Sequence, residues 1–453
     1  MSIAEELAAN VVQTRFESLD KETVERAKWR VIDSMGCLMA GADAAGSRAL
    51  VELIKKWGGA EEATILVYNV KGPACNVALA NGVLIRSYDF EPIEAEGETK
   101  STPAHISGTT VSTAVTMAER QGASGKDLIT ALVLGDDLAS RLSVASGFEL
   151  TLGWDNTGTI NAFGATAIAS RLLRLNQKQV LDAFGLVMHQ LGGSVSHCWD
   201  KVMAFKLPIG LSARNGIFSA DLAAAGFTGN KDAFLGRFGY FTLYCNEYTT
   251  EGLTKDLGKR FYADRVIKPY SACRATHGSI DCALKAAGGR KLKGEEITRV
   301  LMHVAPGTAN GFTGEPFEPG ETAQIAGAFS VRFTVATALM RGAVKPQYFT
   351  DEYARDQKIK DLTEKIELVP DMTPPNTKIE VLLKDGTVLA ADTPFPSGDV
   401  FRTPLTQDQL RAKYRENVAF GGRVSTEKAE KVLEMLESLE NVDDVRKVTS
   451  LMV

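Results

Sequence analysis

Between Ser107 and Ala225 the chain runs through successive stretches of helical periodicity: Ser107–Glu119, Gly125–Ser143, Gly164–Leu173, Gln177–Leu191 and Leu211–Ala225. Ala, Gly, Ser and Thr fill them more than Leu does. Small residues let helix backbones approach closely, so a chain written this way is committed to a large bundle whose helices are buried on several sides. An earlier helix has its own punctuation. Asp20 can cap it, Val24, Ala27, Val31, Met35 and Leu38 recur at helical spacing, and Gly41 offers a stop. The pattern up to about Tyr262 is helical almost throughout.

After Lys268 the grain changes. Ala283–Ala287 ends a helix, and Val300–Val304 alternates like a half-buried strand. Residues 306–321 read as a loop and Ala323–Met340 as a helix. Ile379–Leu383 and Thr387–Leu389 flank Lys384-Asp385-Gly386, a strong hairpin signal, before Pro394 and Pro396 interrupt. Thr406–Leu439 returns to helix. The fold expected is therefore mainly α: a large discontinuous helical domain (residues 1–264 and 402–453) with a smaller α+β lid (residues 265–401) inserted near its end. A length of 453 residues suits two domains.

A net charge of −5 argues against nucleic acid or an anionic membrane as a bulk partner, so any basic feature has to be a local pocket. No apolar run reaches membrane-spanning length, and the acidic start Met1–Glu6 is unlike a signal peptide, so a cytoplasmic protein is expected. The six cysteines lack paired or zinc-type spacing and read as free thiols.

The segment Lys268–His277 concentrates a Lys, an Arg, a Cys and a His in ten residues. Arg grips a carboxylate with two parallel hydrogen bonds, and His moves protons near neutral pH. Together they suit chemistry at a carbon next to a carboxylate. Lys268 and Arg274 are expected to lower the pKa of Cys273. Elsewhere, His189 and His197 read as packing residues or as supports for a neighbouring site, His303 as structural, and Asp137 with Arg141 as a helical ion pair.

Motifs in a fixed order carry a resemblance. They are Ile32-Asp33-Ser34-Met35-Gly36, Tyr88-Asp89-Phe90-Glu91, His105-Ile106-Ser107-Gly108, Gly153-Trp154-Asp155-Asn156-Thr157-Gly158-Thr159 with Phe163-Gly164-Ala165, Lys206-Leu207-Pro208-Ile209-Gly210, Gly226-Phe227-Thr228-Gly229, and Lys268–His277. In these the chain resembles the MmgE/PrpD family, which includes 2-methylcitrate dehydratase, cis-aconitate decarboxylase and iminodisuccinate epimerase. The resemblance implies a helical domain with a smaller lid, a homodimer, and a site in the cleft between domains. It also implies removal or exchange of a proton beside a carboxylate without metal or organic cofactor. On this footing His105 and His277 are candidates for proton transfer, and Asp89 for a supporting carboxylate or second base. Lys268, Arg274 and Lys206 are candidates for binding substrate carboxylates and meeting the charge that develops. Thr276, Ser271, Thr157 and Cys273 complete the candidate set.

Departures from the family pattern stand out. Asp155 occupies the place of a usual His, and Phe333 that of a Tyr found in several members. Lys206 is displaced by one position, with Phe205 where Lys is usual. The stretch Glu94–Glu98 lengthens the segment before His105 and would repel a highly charged substrate. The expected activity is a cofactor-independent, dehydratase-like lyase acting on a small di- or tricarboxylate. An epimerase, a decarboxylase or a catalytically idle carboxylate binder are the alternatives.

Overall fold

The computed structural model describes Met1–Val453. The molecule is mainly α, with the helix Asn156–Leu172 at the centre of its larger part. Every residue of that helix except Arg171 is buried, which explains its lack of a polar face. It packs against the helices Ile106–Gln121, Gly125–Ala145, Gln177–Val187 and Leu207–Ala224. Close approach depends on the small residues. A Cβ on Gly135 would lie 2.7 Å from the Gly164 carbonyl oxygen, and one on Gly216 only 2.5 Å from the Ala165 Cβ.

Nine strands form three separate sheets. β1 (Ala63–Ile65) and β2 (Val70–Gly72) make a small hairpin. β3 (Ile93–Glu96) lies between β4 (Ser101–Thr102) and β5 (Asp264–Val266), antiparallel to both. β6 (Ile297–His303), β7 (Ile366–Val369), β8 (Thr377–Leu383) and β9 (Val388–Thr393) form the third sheet in the order β7-β6-β8-β9. The expected hairpin is the β8–β9 pair, with Leu382 opposite Val388. The helix His277–Ala287 covers this sheet, as its contacts with β8 and β9 show.

The reading of residues up to Tyr262 as almost wholly helical needs correcting, because β1 to β4 lie inside that stretch. Strands this short leave no periodicity to detect. Segment Glu94–Glu98 is therefore the end of β3 and the turn after it. The helix expected at Gly164 starts at Asn156, and the one expected at Leu211 starts at Leu207 with Pro208 in its first turn. Ala323–Met340 divides into Ala323–Ala328 and Val331–Arg341, because Ser330 starts a new helix by accepting from the Phe333 amide at 3.2 Å. The tail divides at Gly422 (φ 63°), a left-handed conformation that suits glycine. Asp137 and Arg141 do form the expected ion pair, buried, at 2.8 Å.

Two passages of chain join the sheet-bearing part to the helical body, and they are bonded to one another. Val266 pairs with Ile93 of β3 and bridges Asp399. The Ile267 amide donates to Gly398 O at 3.0 Å, and Val400 N to Arg265 O at 2.9 Å. Arg265 and Asp399 add an ion pair at 2.7 Å.

Asp264 ties β5 to the start of the helix Ile106–Gln121. Its Oδ2 accepts from both the amide and the hydroxyl of Ser107 at 2.7 Å. Burial pushes its carboxyl up to about 7 from 3.8. An acid with a raised native pKa holds its proton more firmly when folded, so its contribution to stability is lost as pH rises from 3.8 through 7. Asp264→Asn keeps an acceptor for Ser107 without that charge. Its melting temperature relative to wild type should climb between about pH 4 and about pH 7 and then level off. A difference that stays flat with pH would contradict this.

Candidate functional site

A cavity of about 440 Å³ opens where the helical body faces the sheet-bearing part. Its wall includes Asp89, His105, Asp155, Thr157, Cys273 and Arg274 among the residues singled out from sequence, together with Arg86, His197 and Arg402. Groups from distant parts of the chain thus share one hollow.

His105 precedes the helix Ile106–Gln121 and is anchored through its carbonyl, which accepts from Asn161 Nδ2 at 2.6 Å. Its Nδ1 lies 2.7 Å from Oε1 of Glu91, a fully buried carboxylate. Although burial opposes the charge, Arg86 and then His105 hold the Glu91 carboxyl well below the usual range. An ionised carboxylate only accepts, so Nδ1 carries the proton and Nε2 keeps its lone pair. Burial first, then the Arg86 guanidinium, lowers the His105 pKa below 6.5. Both effects favour the neutral imidazole.

Asp89 sits in a left-handed turn (φ 52°) after the helix Ala74–Arg86. One of its oxygens is held by Arg86 and by Lys268 Nζ, the latter at 2.9 Å, while Oδ2 has no hydrogen-bond partner. Asp89, Glu91 and His105 offer donor atoms within 4.8 Å of one another, as a metal site would. The guanidinium of Arg86 lies among them, with Nη1 2.9 Å from both Glu91 Oε1 and His105 Nδ1. It already supplies the positive charge that a metal ion would bring.

The substitution of Asp155 for a histidine has a counterpart. Asp155 caps the helix Asn156–Leu172 through the Thr157 amide at 2.8 Å, and its other oxygen lies 3.1 Å from His197 Nε2. Burial opposes its charge, but His197 and the Thr157 amide draw the Asp155 carboxyl below its ordinary value. The cavity therefore holds two imidazoles, each beside a carboxylate. His197 comes from the short helix Ser196–Asp200. Nothing in its sequence surroundings marked it as more than a packing or supporting residue.

Several candidates lie behind the wall instead of in it. Lys268 is completely buried, with Nζ donating to Asp89 O at 2.6 Å and to its carboxylate. His277 is also completely buried. Its Nε2 donates to Ala272 O at 3.1 Å, its Nδ1 faces Arg274 Nη1 at 3.5 Å, and burial followed by Arg274 lowers its pKa well below 6.5. With both nitrogens engaged, His277 holds the Arg274 loop in place and does not reach the cavity. Thr276 is buried too and donates to Cys273 O at 2.9 Å. Ser271 is buried away from the cavity as well. The Lys206 ammonium is engaged by Ala45 O at 2.5 Å and by the hydroxyls of Ser87 and Ser47. Burial lowers it to about 7, so it is no anchor for the cavity's guest. The expectation for Cys273 is reversed. Burial, then the Asp89 carboxylate, pushes its thiol up to about 11 despite Lys268.

The match to known proteins spans almost the whole chain. The MmgE/PrpD N-terminal domain matches residues 5–252 and the MmgE/PrpD C-terminal domain residues 270–441. The chain belongs to the MmgE/PrpD family. Similar proteins include the cis-aconitate decarboxylase-like protein oryM of Aspergillus oryzae, 23% identical over 92% of this chain and 90% of the relative. The cis-aconitate decarboxylase of Mus musculus is 23% identical over 92% and 87%. That of Aspergillus terreus is 23% identical over 88% and 86%. Phe333, at the place of a tyrosine in several family members, is fully buried and packs between Phe317 and Phe349 in an aromatic cluster away from the cavity.

Proposed function

We propose that this protein is a lyase that removes a proton alpha to a carboxylate of a small organic acid, in a dehydratase-like reaction without an organic cofactor. The observation that carries this reading is His105: a neutral imidazole in the cavity wall, its tautomer fixed by the buried Glu91 carboxylate, with Nε2 left to accept a proton. Arg402, in the same wall, supplies a guanidinium for the carboxylate. His197, hydrogen-bonded to the Asp155 carboxylate, is the candidate to give a proton to the departing hydroxyl.

Decarboxylation is the second reading, favoured by the names of the relatives. Incubation of candidate hydroxy acids in deuterated water separates the two. A dehydratase gives a rise in ultraviolet absorbance and alpha-deuterium in recovered substrate, with no carbon dioxide; a decarboxylase releases carbon dioxide. Deuterium uptake with neither product would overturn both in favour of an epimerase, and no uptake together with no carbon dioxide would leave only a carboxylate binder.

The homodimer belongs to the same proposal. Leu207, Leu211 and Phe218 are exposed along one face of the helix Leu207–Ala224, an unusual density of apolar groups for a free surface. Light scattering should give twice the chain mass, and Leu211→Glu with Phe218→Glu should give a folded monomer. A wild-type monomer at micromolar concentration would remove this part of the proposal.

A further inference from the structure

The charges around the cavity are already matched to one another. Arg86, Arg274 and Arg402 are its cationic lining residues, and Asp89, Glu94, Asp155 and Asp399 its carboxylates. Asp89 is held by Arg86 and Lys268, Asp155 by His197, and Asp399 by Arg265. Glu94, in a left-handed conformation (φ 71°) on β3, approaches Arg274 Nε at 3.4 Å. Arg86 has two acids of its own. Only Arg402 has no acid partner; its guanidinium stacks over the Phe395 ring at 4.5 Å from the centroid. Much of the remaining wall is apolar, with Phe148, Phe312, Phe329, Phe395, Ile93 and Val304 on it.

A guest bearing three carboxylates would bring three negative charges into a hollow with one unmatched cation and four acids of its own. Burying charge without a partner is strongly unfavourable, so this lining selects against such a guest. From this balance we infer that the substrate is a monocarboxylate with an apolar or aromatic body, its carboxylate gripped at the Phe395 rim by Arg402 and its body lying against the phenylalanines. The inference rests on the reading of this cavity as the substrate site, and it replaces the di- or tricarboxylate expected from sequence. Arg402 is then a specificity determinant that admits a single carboxylate, while Arg274 is occupied by the Ser397 carbonyl at 2.6 Å, the Pro396 carbonyl at 3.2 Å and Glu94.

Calorimetric titration with hydrocinnamate, a monocarboxylate with a phenyl body, and with tricarballylate, a tricarboxylate, tests this at neutral pH. Hydrocinnamate is expected to bind at least tenfold more tightly. Arg402→Gln, a change at an exposed position where folding is not at stake, should weaken hydrocinnamate at least tenfold, with Arg402→Lys in between. Equal or tighter binding of tricarballylate overturns the proposal. So does hydrocinnamate binding that is undetectable at millimolar concentration or indifferent to Arg402→Gln. The titration needs no turnover, so binding preference and chemistry are tested independently. A protein that prefers hydrocinnamate but exchanges no alpha proton upholds the substrate class and sinks the lyase; the converse result does the reverse.

Discussion

His105→Gln is expected to lower alpha-proton exchange and turnover by about 10²–10⁴-fold, the range a positioned general base contributes. Gln can still donate to Glu91, so the buried carboxylate keeps a partner and the fold survives. What disappears is the lone pair at Nε2. The pH profile offers an independent check. A base works when deprotonated, and burial together with Arg86 lowers the His105 pKa, so its acid limb falls below 6.5. Activity should hold as pH drops through the ordinary histidine range and decline only beneath it. Near-normal exchange in the variant, or an acid limb above 6.5, would assign the base to another residue, with His197 the next to test.

The second large effect is on stability as well as rate. Lys268→Met should abolish most activity and destabilise the protein by about 3–5 kcal/mol, the usual cost of removing one partner from a buried ion pair. Lys268 and Asp89 are 0% and 1% exposed, so water cannot replace the lost ammonium. Arg86 still faces Asp89, which places the expected cost toward the lower end of that range. The Asp89 carbonyl, which Lys268 also holds, loses a donor as well. From sequence alone, changing Lys268 should spare the fold; its burial predicts otherwise. Urea unfolding of the two proteins would decide, and equal midpoints with retained activity would leave Lys268 without the role given to it.

The helical body was readable because small residues at helical spacing have few other uses. Asp20, Gly41 and the turn at Lys384-Asp385-Gly386 punctuate the chain through local chemistry alone. Strands β1 to β4 were not readable, since they are too short to contain a repeat and are held by their pairing. At the site, motif order led to Asp89, His105, Asp155 and Arg274, all of which line the cavity. It did not distinguish lining from support. Lys268, Thr276 and His277 share a short segment with Arg274, but the backbone turns them inward. Arg86 and Arg402 escaped notice, and His197 was not singled out as a site residue, because each gains significance only from a neighbour that the fold brings to it: Glu91, Phe395 and Asp155.

The lacing of residues 264–267 to 398–400 bears on how a guest gets in. A structure joined by two free strands of chain can swing like a door; one whose two connections are stitched to each other and to β3 cannot pivot without tearing several main-chain bonds together. Passage in and out is thereby left to small excursions of the Phe395 and Arg402 side chains at the rim. Deuterium labelling of backbone amides should then find Ile267 and Val400 among the slowest to exchange.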